Sequence, residues 1–438
     1  MRLGPGACLL GVLLPLILVS PSLAAERAGA TVSRTRLPNG LTVLVRENPV
    51  APVVAVSLQV QMGTRWERRE NAGISNLLQL MVVRGTTSLN GSQIVEAADR
   101  MGGSIEATAD ADFSEIAATA LSRYWVQILE LVADVALRPS VPEGTLAAVR
   151  DFLLRQIRNR SDKPYEVAVD TLTAKLYDAH PYAWDPIGLK DSLERIDRTA
   201  LLAHYQRHYV AGGMVLAVSG RVKAPEVLAQ AQRLFGAMPA RPAPAAEPLR
   251  AATGGAAREA LTVPGAQAQI VVGNLAPKLT DPDYSAVKVL TAVLGGGMAG
   301  RFFSELRDQQ GLAYTTAAQY PSRVETSYFL AQIGTAPENV AKAEAALRDQ
   351  LARIQREPVS DEELRVAKAY LLGNLEMDRR TNARQAWYLA SFEEAGIGYE
   401  FLDRYVKEVR RVTAADVQRV AQRYLAASRT VVVEPPKK

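Results

Sequence analysis

His204 and His208 stand at i and i+4 in "HYQRH", a spacing that sets two imidazoles on one helix face and can hold zinc. No acidic residue lies between them, and the related helix later in the chain, "RVAQRY", has no histidine, so a surface or partly packed pair is the simpler reading. His180, the third and last histidine, precedes Pro181 and reads as a loop-packing residue. Two amides raise another question. In "NAGISNLLQLMVVRGT", Ile74, Leu77, Leu78 and Met81 fall at i, i+3, i+4 and i+7, a core stripe. A second stripe of Asn76, Gln79, Leu80 and Val83 covers another side. The amides either face a cavity or partner, or are simply hydrogen-bonded in the core. The run Gly295–Gly297 is not followed by Gly-Lys-Ser/Thr, which leaves a tight turn giving access to a cleft rather than a phosphate loop.

The elements that must position these residues come in two sets. The 438 residues exceed one ordinary domain. "LRPSVPEGTLAAVRDFLLRQI", ending at Ile157, repeats in pattern as "QREPVSDEELRVAKAYLLGNL", ending at Leu375. "LLAHYQRHYVAGGMVLAVSG" is matched by "DVQRVAQRYLAASRTVVVEP", a helix, a Tyr and a Val-rich strand. Between the halves, Met238 to Arg258 is Pro-, Ala- and Gly-rich without periodicity, a linker. "TRLPNGLTVLVRE" carries a turn between strand runs, and "VVAVSLQVQM" alternates, with Val54, Val56, Leu58, Val60 and Met62 on one face. Ser360 and Glu363 form a capping box. The expected fold is α+β: two tandem homologous domains, 25–237 and 259–438, each a mainly antiparallel sheet covered by helices.

Composition removes several function classes. With 48% hydrophobic and 22% charged residues the chain can bury sizeable cores. A net charge of +5, scattered rather than in runs, argues against a nucleic-acid surface. Residues 1–24 read as a signal peptide: Arg2, an apolar stretch from Cys8 to Val19, and Ser22-Leu23-Ala24 as a cleavage site. No later segment reaches about 18 apolar residues, so no stable membrane span is expected and the product is exported, in a bacterium to the periplasm. Cys8, the one cysteine, lies in the segment to be removed and precedes the apolar run, against a lipoprotein anchor.

The surrounding sequence resembles the pitrilysin/insulinase family of zinc metallopeptidases over nearly the whole mature chain. "MGTRWERRENAGISNLLQLMVVRGT" is similar to that family's zinc helix, but where active members carry His-x-x-Glu-His this chain has Asn76, Leu77, Leu78, Gln79 and Leu80. "DAHPYAWDPIG" (Asp178 to Gly188) and "LGGGMAGRFFSELRDQQGLAY" (Leu294 to Tyr314) also resemble family segments. Gln156 in "FLLRQI" aligns with the family's third ligand, a Glu. The resemblance implies tandem domains facing each other like a clamshell. It further implies that Arg307 and Tyr314 reach into an active cleft to hold the substrate backbone and the oxyanion. An Arg paired locally and a Tyr packed on its sheet is the alternative.

An inverted zinc motif needs two imidazoles for the metal and a Glu to take a proton from bound water. Asn76 is at best a feeble ligand, Leu80 cannot ligate, and Gln79 is not basic. No cofactor and no catalytic residue are therefore expected in this chain. The leading expectation is a non-catalytic subunit of an exported peptidase, in a heterodimer or larger assembly. It would lend Arg307 and Tyr314 to a zinc-bearing homologous partner that cleaves unfolded peptides in a chamber between the chains. The second is a scaffold or peptide-binding protein with no role in proteolysis. An autonomous peptidase with a relocated metal is a third.

Overall fold

The turn Leu37-Pro38-Asn39-Gly40 joins the first two strands, with Gly40 at a φ of +100° that favours glycine. The computed structural model describes residues 31–246 and 256–436. The leader with Cys8, and the middle of the 238–258 segment, lie outside the described residues.

The first sheet contains β1 (Val32–Arg36), β2 (Thr42–Glu47), β3 (Val53–Val60), β4 (Ser104–Ala109), β5 (Ser114–Leu121) and β6 (Met214–Gly220), in the order β1-β2-β6-β3-β5-β4. The second contains β7 (Arg258–Thr262), β8 (Ala268–Ala276), β9 (Thr315–Gln319), β10 (Ser327–Thr335) and β11 (Arg429–Glu434), in the order β7-β11-β8-β10-β9. Without β1 the orders coincide, each with one parallel pair, β2–β6 and β7–β11, beside antiparallel neighbours. The sequence repeat is thus a repeat of topology.

Helices of the first half are α1 (Ile74–Val82), α2 (Gly91–Arg100), α3 (Trp125–Leu137), α4 (Glu143–Ser161), α5 (Pro164–Tyr177), α6 (Lys190–Leu193), α7 (Arg198–His208) and α8 (Ala224–Phe235). Those of the second are α9 (Tyr284–Gly295), α10 (Val340–Arg356), α11 (Asp361–Asp378), α12 (Asn382–Glu394), α13 (Phe401–Arg411) and α14 (Ala414–Tyr424). The Ser360–Glu363 capping box opens α11: Glu363 N donates to Ser360 Oγ at 3.2 Å and Ser360 N to Glu363 Oε2 at 2.9 Å. On β3, Val54, Val56, Leu58 and Val60 pack with Leu77, Leu78 and Met81 of α1 in the first core.

The opposite face of β3 is also buried, although it carries Ser57 and Gln59 beside Ala55. Helix α12 crosses from the second half and lies on it: Gln59 Nε2 donates to Ser391 Oγ at 2.8 Å, and Gln61 Nε2 to the Glu394 carbonyl at 3.2 Å. Leu389 and Ala390 meet Ala55 and Ala217 there. Helix α5 of the first half returns the arrangement, with Leu172 and Leu176 on Val271, Val431 and Val433 of the second sheet. Gly273 of β8 permits this approach, since a Cβ there would lie 2.6 Å from Leu172 Cδ2 and 2.9 Å from the Phe329 carbonyl oxygen. Among the described residues no helix is long and apolar enough to cross a membrane.

Leu172 is fully buried, so Leu172→Ala is expected to cost about 2–5 kcal/mol. Because α5 belongs to one half and the sheet to the other, urea should unfold both halves in one shifted transition. Two separated transitions, with the first half unaffected, would contradict the exchange.

Candidate functional site

Glu67 builds the start of α1. Its carboxylate accepts from Gly73 N at 2.8 Å and Ser75 N at 2.9 Å, satisfying donors that a helix N-terminus leaves open. Burial pushes the Glu67 carboxyl up, while the two backbone donors and Ser75 act against it. Gly73 sits at φ +91°, and a Cβ there would lie 2.7 Å from Gly188 Cα, so the segment after Asp185 packs directly on the helix start.

The four positions matched to the zinc site go to different places. Asn76, half-buried, and Gln156 line one cleft of about 660 Å³, together with Phe152 of α4 and Glu166 of α5. Leu80 packs on the edge of the first core. Gln79 is fully buried. Its Oε1 accepts from Tyr209 Oη at 3.2 Å, and its Nε2 is shielded without a partner. The two amides divide between the two alternatives: Gln79 is hydrogen-bonded in the core, toward Tyr209 just after α7, and Asn76 reaches the cleft.

The donors left at the matched positions, the carboxamides of Asn76 and Gln156, do not fit a zinc ion, and the carboxylates of the cleft wall, Glu166 and Asp185, are already held by Arg160. What stands beside Gln156 is instead Arg160, one turn further along α4. Its guanidinium takes Asp170 at 2.9 and 2.8 Å, Glu166 at 2.9 Å and Asp185 at 3.2 Å. The hydrogen bonds to Asp170 lead in holding its proton affinity above the ordinary arginine value. This cluster was missed in the sequence because its carboxylates come from two elements; the i, i+4 spacing of Gln156 and Arg160 was the available signal.

The histidines are structural. His204 and His208 are buried, their rings 4.4 Å apart. His204 Nε2 meets Ser75 Oγ at 3.1 Å, and His208 Nδ1 donates to the Gln61 carbonyl at 2.7 Å. Among the described residues no group of three or more His, Cys, Asp or Glu can hold a metal ion. His180 is buried in its loop, its Nδ1 accepting from Tyr182 N at 3.1 Å. Tyr182 in turn donates to Asp112.

Arg307 lies in a π-helical segment, Phe302–Gln309, anchored by buried Phe302 and Leu306 and by Glu305, which Arg353 holds at 2.7 Å. The Arg307 guanidinium covers the Phe303 ring at 4.9 Å, and among the described residues no ion pair engages it. Tyr314 opens β9 from just outside it and is 57% exposed. Arg307 thus has a local partner in the Phe303 ring, as the alternative has it, while Tyr314 is largely exposed rather than packed on its sheet. Neither side chain lines the cleft of Asn76 and Gln156. The glycine run serves packing rather than access: a Cβ on Gly295 would lie 2.4 Å from Ala318 N, and one on Gly296 2.3 Å from the Ala292 carbonyl oxygen.

Burial pushes His208 down from 6.5 to about 4 and His204 in the same direction. Both are neutral when folded and charge on unfolding, so the stability they carry is complete above pH 6.5 and falls as pH drops toward 4. Each contributes at most about 1.4 kcal/mol per pH unit. His208→Gln is expected to flatten the fall of the urea midpoint between pH 7 and 5; an unchanged slope would show that His208 does not titrate in this way.

The comparisons with known proteins agree with this architecture. The family model described as "Insulinase (Peptidase family M16)" matches residues 42–185, and the one described as "Peptidase M16 inactive domain" matches residues 195–371. An uncharacterized zinc protease of Mycobacterium leprae is 27% identical over 92% of this chain and 91% of its own length. One from Rickettsia felis is 25% identical over 92% and 97%. In fold, the chain is similar to a peptidase M16 inactive domain from Pseudomonas fluorescens, with a TM-score of 0.87 and 23% identity, covering 93% of this chain and 99% of that one. A protease from Helicobacter pylori superposes with a TM-score of 0.86 at 20% identity, covering 93% and 100%. With M16 family matches over residues 42–185 and 195–371, the chain belongs to the M16, or pitrilysin/insulinase, peptidase family.

Proposed function

We propose that this chain is the non-catalytic subunit of an exported zinc metallopeptidase, lending Arg307 and Tyr314 to a zinc-bearing homologous partner. The observation that carries the reading is the division of the chemistry. The cleft of the first half offers carboxamides where a metal and base are needed, while the second half presents an exposed guanidinium and phenol. Zinc and the general base belong to the partner. Arg307 and Tyr314 donate hydrogen bonds to the substrate backbone and to the oxyanion that develops when water attacks the scissile carbonyl. Met298, 77% exposed, and Tyr370, 41% exposed, flank this part of the second half, and apolar side chains left in solvent in this way support a face that meets another chain. The N-terminal leader supports export, and a chamber between two chains favours unfolded peptides over folded proteins.

One observation favours the second reading, a peptide-binding scaffold without proteolysis. Strand β4 is one edge of the first sheet, and its last residue, Ala109, lines the cleft with Asn76. An unfolded peptide that adds to β4 would lie across the cleft and remain uncut.

The two readings separate on co-expression with a zinc-bearing homologue from the same cell. Under the lending account, Arg307→Ala in this chain lowers peptide cleavage by the complex about 100- to 1,000-fold, the cost of one oxyanion donor. Tyr314→Phe acts in the same direction. Cleavage unchanged by Arg307→Ala removes the lending role and leaves the scaffold.

A further inference from the structure

A second cavity, of about 470 Å³, shares no residue with the cleft of Asn76 and Gln156. It lies across the two halves. Arg46 enters it from β2, Glu376, Arg379 and Arg380 from the end of α11 and the turn into α12, and Glu400 and Asp403 from the start of α13. Tyr388 and Tyr399 supply ring surface. Three guanidiniums converging on one partly enclosed space repel one another unless something negative joins them.

The charges already paired can be subtracted. Arg379 holds Glu376 at 2.8 Å. Asp378, just outside, is taken by Arg384 at 2.7 Å and Tyr388 at 2.5 Å. Arg380 donates Nε only to the Met377 carbonyl, at 2.7 Å. Arg46 is the anomaly. Its Nη1 is shielded from solvent and has no hydrogen-bond partner, and among the described residues no carboxylate pairs with it. Burial and then the neighbouring Arg379 push its proton affinity down, the signature of a cation lacking its counter-charge. Glu400 and Asp403 are likewise without an ion pair among the described residues. After subtraction the wall carries unmatched charge of both signs on different elements, Arg46 and Arg380 against Glu400 and Asp403. A bare dianion would meet the two carboxylates unfavourably. A ligand with a carboxylate at one end and an ammonium at the other meets both sets.

We propose that this cavity binds a short peptide or free amino acid as a zwitterion, its α-carboxylate on the unpaired Arg46 guanidinium and its ammonium toward Glu400 and Asp403. The volume lies in the range of small-molecule sites. Because the walls come from both halves, an occupied site ties β2 to the α11–α13 region. It does not depend on the lending of Arg307 and Tyr314.

Isothermal titration of the full chain with trialanine, trialanine amide, N-acetyltrialanine and inorganic phosphate tests the site. Trialanine is expected to bind, and blocking either terminus to weaken binding about tenfold to a hundredfold, the loss of a charge-assisted contact. Arg46→Met is expected to abolish binding with an unchanged or higher melting temperature, since it removes an unpaired cation. Asp403→Asn, on the solvent side, is expected to weaken trialanine and leave the affinity for N-acetyltrialanine unchanged. The site is overturned if trialanine fails to bind, if the amide binds equally well, if phosphate binds more tightly than trialanine, or if Arg46→Met retains binding. A sharp fall in melting temperature in Arg46→Met would also overturn it, by making Arg46 structural.

Discussion

Helices α5 and α12 each leave their own half to cover the other half's sheet, and the remaining geometry depends on that exchange. A sheet with helices on one side alone would expose Val271, Val431 and Val433 in the second half. In the first it would expose the row Ala55, Ser57, Gln59, which has too few apolar atoms to make a core by itself. The exchange satisfies both with one arrangement, apolar packing under α5 and side-chain hydrogen bonds under α12. Further contacts run along the same seam. Arg323 of the second half pairs with Asp110 of the first at 2.8 Å, and Val324 N donates to Asp112 at 3.2 Å. Such partly exposed, charged contacts add little net stability, but they penalise any other register of the halves. The position of Arg307 and Tyr314 relative to the cleft is fixed by this seam.

The placement of α1 follows from the same physics. The helix is held by the Glu67 cap, by the stripe of Leu77, Leu78 and Met81, and by the close approach of Gly188 to Gly73. None of these contacts uses the side chains at 76, 79 or 80. Carboxamides at 76 and 79 are polar without being basic, and the helix keeps its place without calling on any acid–base or metal chemistry there. Arg160, secured by three carboxylates, fills the neighbouring wall with a charge that cannot be deprotonated.

What was legible in the sequence was local or repeated. The alternation in β3, the stripe of α1, the box at Ser360 and Glu363, and the tandem duplication all rest on short-range patterns, and each has its counterpart in the fold. What was hidden depended on distant partners. Gln59 lies off the apolar face that the alternation marks, yet it is fully buried, because its cover comes from residues more than 300 positions later. Gln79 and Asn76 share a stripe, and only the position of Tyr209 decides that one enters the core and the other the cleft. The unpaired state of Arg46 follows from the meeting of β2 with the α11–α13 region, which no pattern in either segment announces.

If this chain lends Arg307 and Tyr314 as proposed, it completes an active site whose zinc and base another chain supplies. The most direct measurement is a titration. A purified zinc-bearing homologue from the same cell, assayed on an unfolded peptide, receives increasing amounts of this chain. The account predicts cleavage that rises from a low baseline to a plateau at a fixed subunit ratio. Activity of the homologue that is already full and stays level as this chain is added would contradict it.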